Sequence, residues 1–172
     1  MSVANVREVL AKIGYVLLHI QATERVVKLA MQVAMPGEAE LLFTSIAERV
    51  TSKDVRRPLG PFLAELRKRA TLHDDVDDLL TRFLTKRNAF IHNLAEVDGW
   101  SITTEAGIAT AHQHLGELLD ESKQVRTHFL GLLYSWKVQT GLKPTEYEEE
   151  GFAAIAEKFE GGILSRKWGT DA

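Results

Sequence analysis

The chain has 172 residues, of which 45% are hydrophobic and 26% charged, and this length fits one domain over residues 1–172 that can bury its own core. It has no cysteine, which excludes disulfides, zinc–thiolate sites and cysteine nucleophiles. The formal net charge of −3 argues against a surface covered with phosphate-binding side chains, so any nucleic-acid contact is expected in a locally basic region.

The N-terminal sequence MSVANVREVL interrupts its short apolar stretches with charged residues. It therefore lacks the long uncharged run of a signal peptide or a membrane span. The absence of cysteine fits a reducing compartment. We expect a cytoplasmic protein with no membrane partner.

The first predicted element is a long helix from Val3 to Ala34, because apolar residues recur there at helical spacing. The stripe expected to face the core contains Val6, Val9, Ile13, Val16, Ile20, Val27 and Ala30, with Thr23 as its polar exception. A second row, at seven-residue steps, places the carboxylate of Glu24 between Leu17 and Met31. Glu24 is then either an edge residue that reaches water or a partly buried acid that pairs with an arginine.

Shorter helices are predicted in the middle of the chain. Pro36 and Gly37 end the first helix, and a second follows at about residues 38–50. The turn at residues 58–61 leads into a helix that begins at Pro61 or Phe62. We predict Thr71 as the N-cap of the next helix, which fades near residues 98–99.

A second long helix is predicted after a cap at Thr103 or Thr104, and it ends at Gly141. A last helix covers about residues 145–160, and the tail after about 161 is expected to be loosely ordered. No strand is predicted. Two long helices with shorter ones between and after them favour an all-α, up-and-down helical bundle.

The segment TRFLTKRNAFIHNL, residues 81–94, is the strongest candidate for chemistry. Asn88 and His92 lie one helical turn apart, and the long side chain of Arg87 can curl toward the same pocket. Arginine offers a planar fork that matches a phosphate, whereas histidine exchanges a proton near neutral pH. Arg82 and Lys86 add positive potential nearby. The pattern indicates phosphoryl chemistry.

This segment resembles the signature of the HEPN superfamily (higher eukaryote and prokaryote nucleotide-binding domains). In that signature an arginine, four to six residues and a histidine lie on a helix, often with a polar residue after the arginine. Arg87, Asn88 and His92 fill these positions. The resemblance extends to the order of a long first helix, the motif helix and a long following helix, over roughly residues 3 to 140, and implies a bundle of HEPN type.

Many HEPN proteins are metal-independent endoribonucleases, and the resemblance implies a role for each motif residue. His92 would take the proton of a ribose 2′-hydroxyl, Arg87 would neutralise charge on the phosphoryl oxygens, and Asn88 would orient His92 or a phosphate oxygen. Glu24 and Lys86 are predicted supporting residues, with Glu24 holding Arg87. RNA contacts are predicted for Arg82, Lys86 and Arg87. Neither a metal nor another cofactor is expected.

The family usually builds its site across a two-fold dimer, because one histidine does not easily serve both sides of an in-line displacement. The resemblance thus implies a homodimer with an RNA substrate, acting as a toxin or phage-defence effector, with an antitoxin or regulatory protein as candidate partner. HEPN toxins silenced by a nucleotidyltransferase have a tyrosine two places after the histidine, whereas this chain has Leu94 there. That regulation is not predicted.

Two alternatives remain open at this stage. In the first, Arg87 and His92 belong to a helix-capping and salt-bridge network without a substrate. In the second, the chain is a non-catalytic HEPN-like module that binds a nucleotide or a protein partner. His112 and His114 diverge on a helix because they are two residues apart, so a metal site there is not predicted.

Overall fold

The computed structural model describes residues 3–34, 59–158 and 164–166. The α-helices in these ranges are α1 (Val3–Ala34), α2 (Leu59–Arg69), α3 (Asp74–His92), α4 (Glu105–Gln139) and α5 (Glu146–Lys158). The predicted all-α bundle with two long helices, α1 and α4, is confirmed. The helix predicted at residues 38–50 lies outside the described residues.

The inner face of α1 follows the predicted stripe. Val9, Val16 and Val27 have no exposed surface, and Ile20 is 1% exposed. Thr23, the polar member of the stripe, is also fully buried, and its hydroxyl lies 2.9 Å from the hydroxyl of Ser122 on α4. A buried polar pair of this kind is tolerated because each hydroxyl has a hydrogen-bond partner.

The contacts between helices define their directions. Lys12 donates to the His112 carbonyl at 2.8 Å, and Thr23 meets Ser122 further along, so α1 and α4 run parallel. The motif helix α3 runs antiparallel to α4, since Lys86 contacts Glu117 and the earlier residue Arg82 contacts the later residue Glu121. Thus α3 lies beside both long helices, with one of its flanks facing α1 and the other facing α4.

Three predicted helix boundaries are wrong, and the predicted cap of α4 is confirmed. Helix α2 begins at Leu59 rather than at Pro61 or Phe62, because a proline is tolerated in the first turn of a helix, where its missing N–H has no intrahelical partner to lose. The N-cap of α3 is His73, in an extended conformation, because Thr71 belongs to a short strand. At its other end α3 stops at His92 rather than near residues 98–99, and Asn93 adopts φ −135° and ψ 35° before a 3₁₀ turn at Leu94–Glu96. This turn brings Trp100 edge-on to His114 of α4, with ring centroids 6.1 Å apart. The Thr104 cap of α4 is confirmed by its hydrogen bond from the Gly107 amide.

A two-stranded ribbon joins distant parts of the chain. Strand β1 (Ala70–Leu72) pairs antiparallel with β2 (Leu164–Arg166), with Thr71 opposite Ser165. The sequence did not predict it, because three residues are too few for an alternating pattern to show. Strand β2 belongs to the tail after 161, whose other residues lie outside the described ranges.

No helix in the described ranges contains an apolar stretch long enough to cross a membrane.

Candidate active site

The buried face of α3 fixes how the motif is presented. Its core residues are Val76, Leu79, Leu80, Phe83 and Phe90. Because consecutive helical residues diverge by about 100°, Lys86 and Arg87 leave opposite sides of this apolar face. Lys86 contacts α4 and Arg87 contacts α1. One apolar stripe therefore separates two polar flanks of the same helix.

An open cavity of about 630 Å³ lies beside the motif, within the size range of ligand pockets, roughly 300–1,000 Å³. The motif side is lined by Thr85, Arg87, Asn88, Ala89, His92 and Asn93, and the start of α2 contributes Leu59, Gly60 and Pro61. All three predicted catalytic residues thus share one cavity. One wall is polar, and the other is largely apolar.

Arg87 is held in place by Glu24. Its Nε donates to Glu24 Oε1 at 2.7 Å, and the two side chains are only 17% and 15% exposed. A second nitrogen, Nη1, donates to Asn88 Oδ1 at 3.0 Å. An arginine carries five N–H donors, so part of the guanidinium stays available where it lines the cavity. The predicted pairing of Glu24 with Arg87 is confirmed.

A second cation, Lys28, shares the same carboxylate. Its ammonium lies 3.9 Å from Glu24 Oε2 and 5.7 Å from the centre of the Phe62 ring. Burial lowers the pKa of Lys28, Glu24 opposes that effect and Arg87 adds to it. Two cations facing one carboxylate leave net positive charge behind the cavity wall, which favours an anion in the cavity.

His92 is the last residue of α3, and its side chain is exposed. Within the described part of the chain its ring has no hydrogen-bond partner, so both ring nitrogens are free to meet a ligand. Asn88 was predicted to orient either His92 or a phosphate oxygen. Its amide oxygen accepts a hydrogen bond from Arg87, and its predicted role toward His92 or a phosphate oxygen stays a prediction.

Arg82 and Lys86, predicted to contact RNA, lie on the opposite flank of α3. The Lys86 ammonium donates to Glu117 at 2.8 Å and to Glu121 at 3.0 Å, and Arg82 lies 3.6 Å from Glu121. Neither residue lines the cavity. Their charges are offset by α4 carboxylates, so they do not extend the basic wall formed by Arg87.

The flank toward α4 also shifts pKa values. Burial lowers the pKa of Lys86, but its hydrogen bonds to Glu117 and Glu121 outweigh burial and raise that pKa above its ordinary value. The hydrogen bond from Lys86 is the largest cause of the lowered pKa of Glu117. For His114, burial lowers the pKa, and the neighbouring Lys86 lowers it further. This flank is a cluster of ion pairs that connects α3 to α4.

Some residues of the site were not predicted. The wall at residues 59–61 had been interpreted only as a turn, and no sequence signal places it opposite His92. Glu117 and Glu121 had a usable signal: they are one helical turn apart, as are Arg82 and Lys86, which is the spacing that allows two facing helices to exchange ion pairs.

The geometry offers an anion-binding guanidinium, an exposed imidazole and an amide in one cavity. In the described ranges, no three histidine, aspartate or glutamate side chains are grouped so that they could hold a metal ion. Comparison with protein-family models, with curated proteins and with solved structures finds no match for this chain.

Proposed function

We propose that this chain is a metal-independent endoribonuclease of HEPN type. The observation that carries the proposal is the shared cavity of Arg87, Asn88 and His92, in which Glu24 fixes the arginine and the imidazole is exposed. A phosphate and a transferable proton can therefore be handled in one place. The resemblance of the Arg87-to-His92 segment to the HEPN signature supports the same reaction.

The reaction follows from the chemistry of these groups. The neutral imidazole of His92 takes the proton of a ribose 2′-hydroxyl, and the resulting oxygen attacks the adjacent phosphorus. The bond from phosphorus to the 5′-oxygen breaks, which leaves a 2′,3′-cyclic phosphate and a 5′-hydroxyl end. Arg87 stabilises the charge that builds on the phosphoryl oxygens, an effect of about 3 kcal/mol for one donor in comparable sites.

The departing 5′-oxygen needs a proton on the side opposite the attack. The imidazole that removes the first proton is poorly placed to supply the second one. We therefore include a homodimer in the proposal, with His92 of a second copy as the acid. In the cell, by analogy with the family, the protein would act in the cytoplasm as a toxin or phage-defence effector controlled by an antitoxin or another regulatory protein.

The test is cleavage of mixed RNA in the presence of a chelator. The parent is expected to cut and to leave 2′,3′-cyclic phosphate ends, whereas His92→Ala and Arg87→Ala are expected to be inactive. His73→Ala is the matched control, because His73 is an exposed histidine at the other end of the same helix. Equal activity in all variants, or no cleavage by the parent, would contradict the proposal.

A second candidate is a non-catalytic module that binds a nucleotide or a protein partner. The hydrogen bonds of Arg87 favour this candidate, because two of its donors already bond to Glu24 and Asn88 and fewer remain for a substrate. In that case the parent binds a labelled nucleotide without cleaving RNA, and Arg87→Ala weakens binding while His92→Ala has little effect. Calorimetric titration with nucleoside monophosphates distinguishes the two functions.

A further inference from the structure

The outward face of α1 carries large apolar side chains that nothing in the described residues covers. Leu18 is 66% exposed and Tyr15 is 53% exposed. The Tyr15 ring lies against the ring of His19, with centroids 4.9 Å apart, so its position on the helix surface is partly fixed. A solvent-facing helix surface normally carries polar and charged residues at its centre. This face therefore has the character of a contact surface.

The exposed side chains belong to a regular row. Alternating steps of three and four residues connect Glu8, Ala11, Tyr15, Leu18, Ala22 and Arg25. Five of the six are exposed and Ala22 is half-buried. At about 100° per residue they occupy an arc of about 100°, and at about 1.5 Å per residue the row is about 25 Å long. This spacing is the one by which two helices pack along a common seam.

The row is complementary to its own reversed copy. Reversal about the midpoint between residues 16 and 17 places Tyr15 opposite Leu18. The same reversal places Ala11 opposite Ala22 and Glu8 opposite Arg25. The central layers are then apolar, the alanine layers allow the helices to approach closely, and the outer layers join opposite charges. A two-fold axis at the midpoint forms each pair twice.

We propose that two copies of this chain associate through an antiparallel contact between their α1 helices, centred on Tyr15 and Leu18 and ended by Glu8–Arg25 ion pairs. The occupant of the exposed face is a second copy, because the apolar positions and the charges both match under one two-fold operation. A partner of unrelated sequence would not require this symmetry of spacing.

This contact leaves the candidate active site open. The row lies about 150° around α1 from Glu24, at about 100° per residue, and Glu24 is the residue that holds Arg87 at the cavity. The contact thus differs from the motif-to-motif contact of the proposed ribonuclease and does not depend on it. A chain that makes both contacts has two kinds of two-fold interface, and loss of the α1 contact alone leaves the other one in place.

The first test is the mass of the full chain in solution, measured by light scattering over a range of concentrations because a contact along one helix is smaller than most stable interfaces. Leu18→Glu is expected to halve the mass of the assembly without changing helicity or Tm, since residue 18 lies outside the core. Leu142→Glu, at a position that is 46% exposed outside the row, is the matched control and should keep the mass of the parent.

The second test exchanges the charges. Glu8→Arg alone and Arg25→Glu alone are each expected to weaken association at least several-fold, because each places like charges opposite one another. The double variant, which restores opposite charges, should recover the mass of the parent. The proposal is overturned if the parent is a single copy at every concentration, if Leu18→Glu keeps the parent mass, or if the double variant fails to recover association.

Discussion

The two flanks of the motif helix carry similar charges but have different surroundings. Toward α4, the ammonium of Lys86 lies between Glu117 and Glu121, and a network of cations and carboxylates joins the two helices. Toward α1, the described residues place one carboxylate, that of Glu24, against both Arg87 and Lys28. Both flanks fasten α3 to a long helix, but only the α1 flank leaves an excess of positive charge beside a cavity.

A cation on a helix can either stabilise the bundle or bind an external anion, and each flank of α3 is suited to one of the two. A cation whose partners offset its charge contributes to the assembly of the bundle and presents little potential to a ligand. A cation that is positioned by one carboxylate shared with another cation keeps donors for an external anion. Lys86 and Arg87 are adjacent in sequence, so the surrounding helices, and not the residue types alone, determine which of them can act on a substrate.

The largest expected effect comes from neutralising each of these neighbours in turn. Arg87→Met should lower RNA cleavage by about 10²–10³-fold, because it removes a donor aimed at the developing phosphoryl charge. Lys86→Met should change cleavage by no more than several-fold, because Lys86 does not line the cavity. Single-turnover cleavage rates of the two variants provide the comparison. Similar losses in both would show that the two flanks are functionally equivalent.

A smaller effect is expected on stability when one carboxylate is neutralised on each flank. Glu24→Gln should lower the free energy of unfolding by about 3 kcal/mol, because it removes the carboxylate that Arg87 and Lys28 share among the described residues, and both cations are largely buried. Glu117→Gln should cost less than about 1 kcal/mol, since that side chain is 47% exposed. Urea unfolding measures both. If Glu117→Gln lowers the free energy of unfolding more than Glu24→Gln does, the α4 flank rather than the α1 flank contains the more strongly stabilising ion pair.

The smallest effect is electrostatic and concerns the α4 flank. Removing the ammonium with Lys86→Met should return the pKa of Glu117 toward its ordinary value, because the Lys86 hydrogen bond is its main cause of lowering. The pKa of His114 should rise, because a neighbouring cation no longer opposes its protonation. NMR titration of the two side chains measures both shifts, and an unchanged His114 would contradict the coupling between them.

The same substitution defines a pH window for stability. The pKa of Lys86 is raised in the folded chain, so its contribution is complete at neutral pH and is lost as pH rises through that raised value. The pKa of Glu117 is lowered, so its contribution is present above its ordinary pKa and is lost as pH falls through the lowered value. The parent should therefore exceed Lys86→Met in Tm most clearly between these limits, with the difference shrinking in strong acid.

The helices themselves were largely predictable, because each long helix repeats one signal many times. The stripe through Val9, Val16 and Ile20 identified the inner face of α1, and Glu24 stood out as a carboxylate among apolar neighbours. The boundaries of α3 were less accessible. Thr71 pairs in the β ribbon with Ser165, which lies more than ninety residues later in the chain. Helix α3 ends at His92, and the turn that follows brings Trp100 into contact with α4.

The sequence by itself determined the helical class, the inner face of α1 and the candidate trio of Arg87, Asn88 and His92, since local periodicity and residue chemistry are properties of consecutive residues. Only the tertiary structure decided that Arg82 and Lys86 turn away from the cavity to α4, and that residues 59–61 form its opposite wall. Those outcomes depend on which elements lie beside α3, and neighbours in space are set by the packing of the whole bundle.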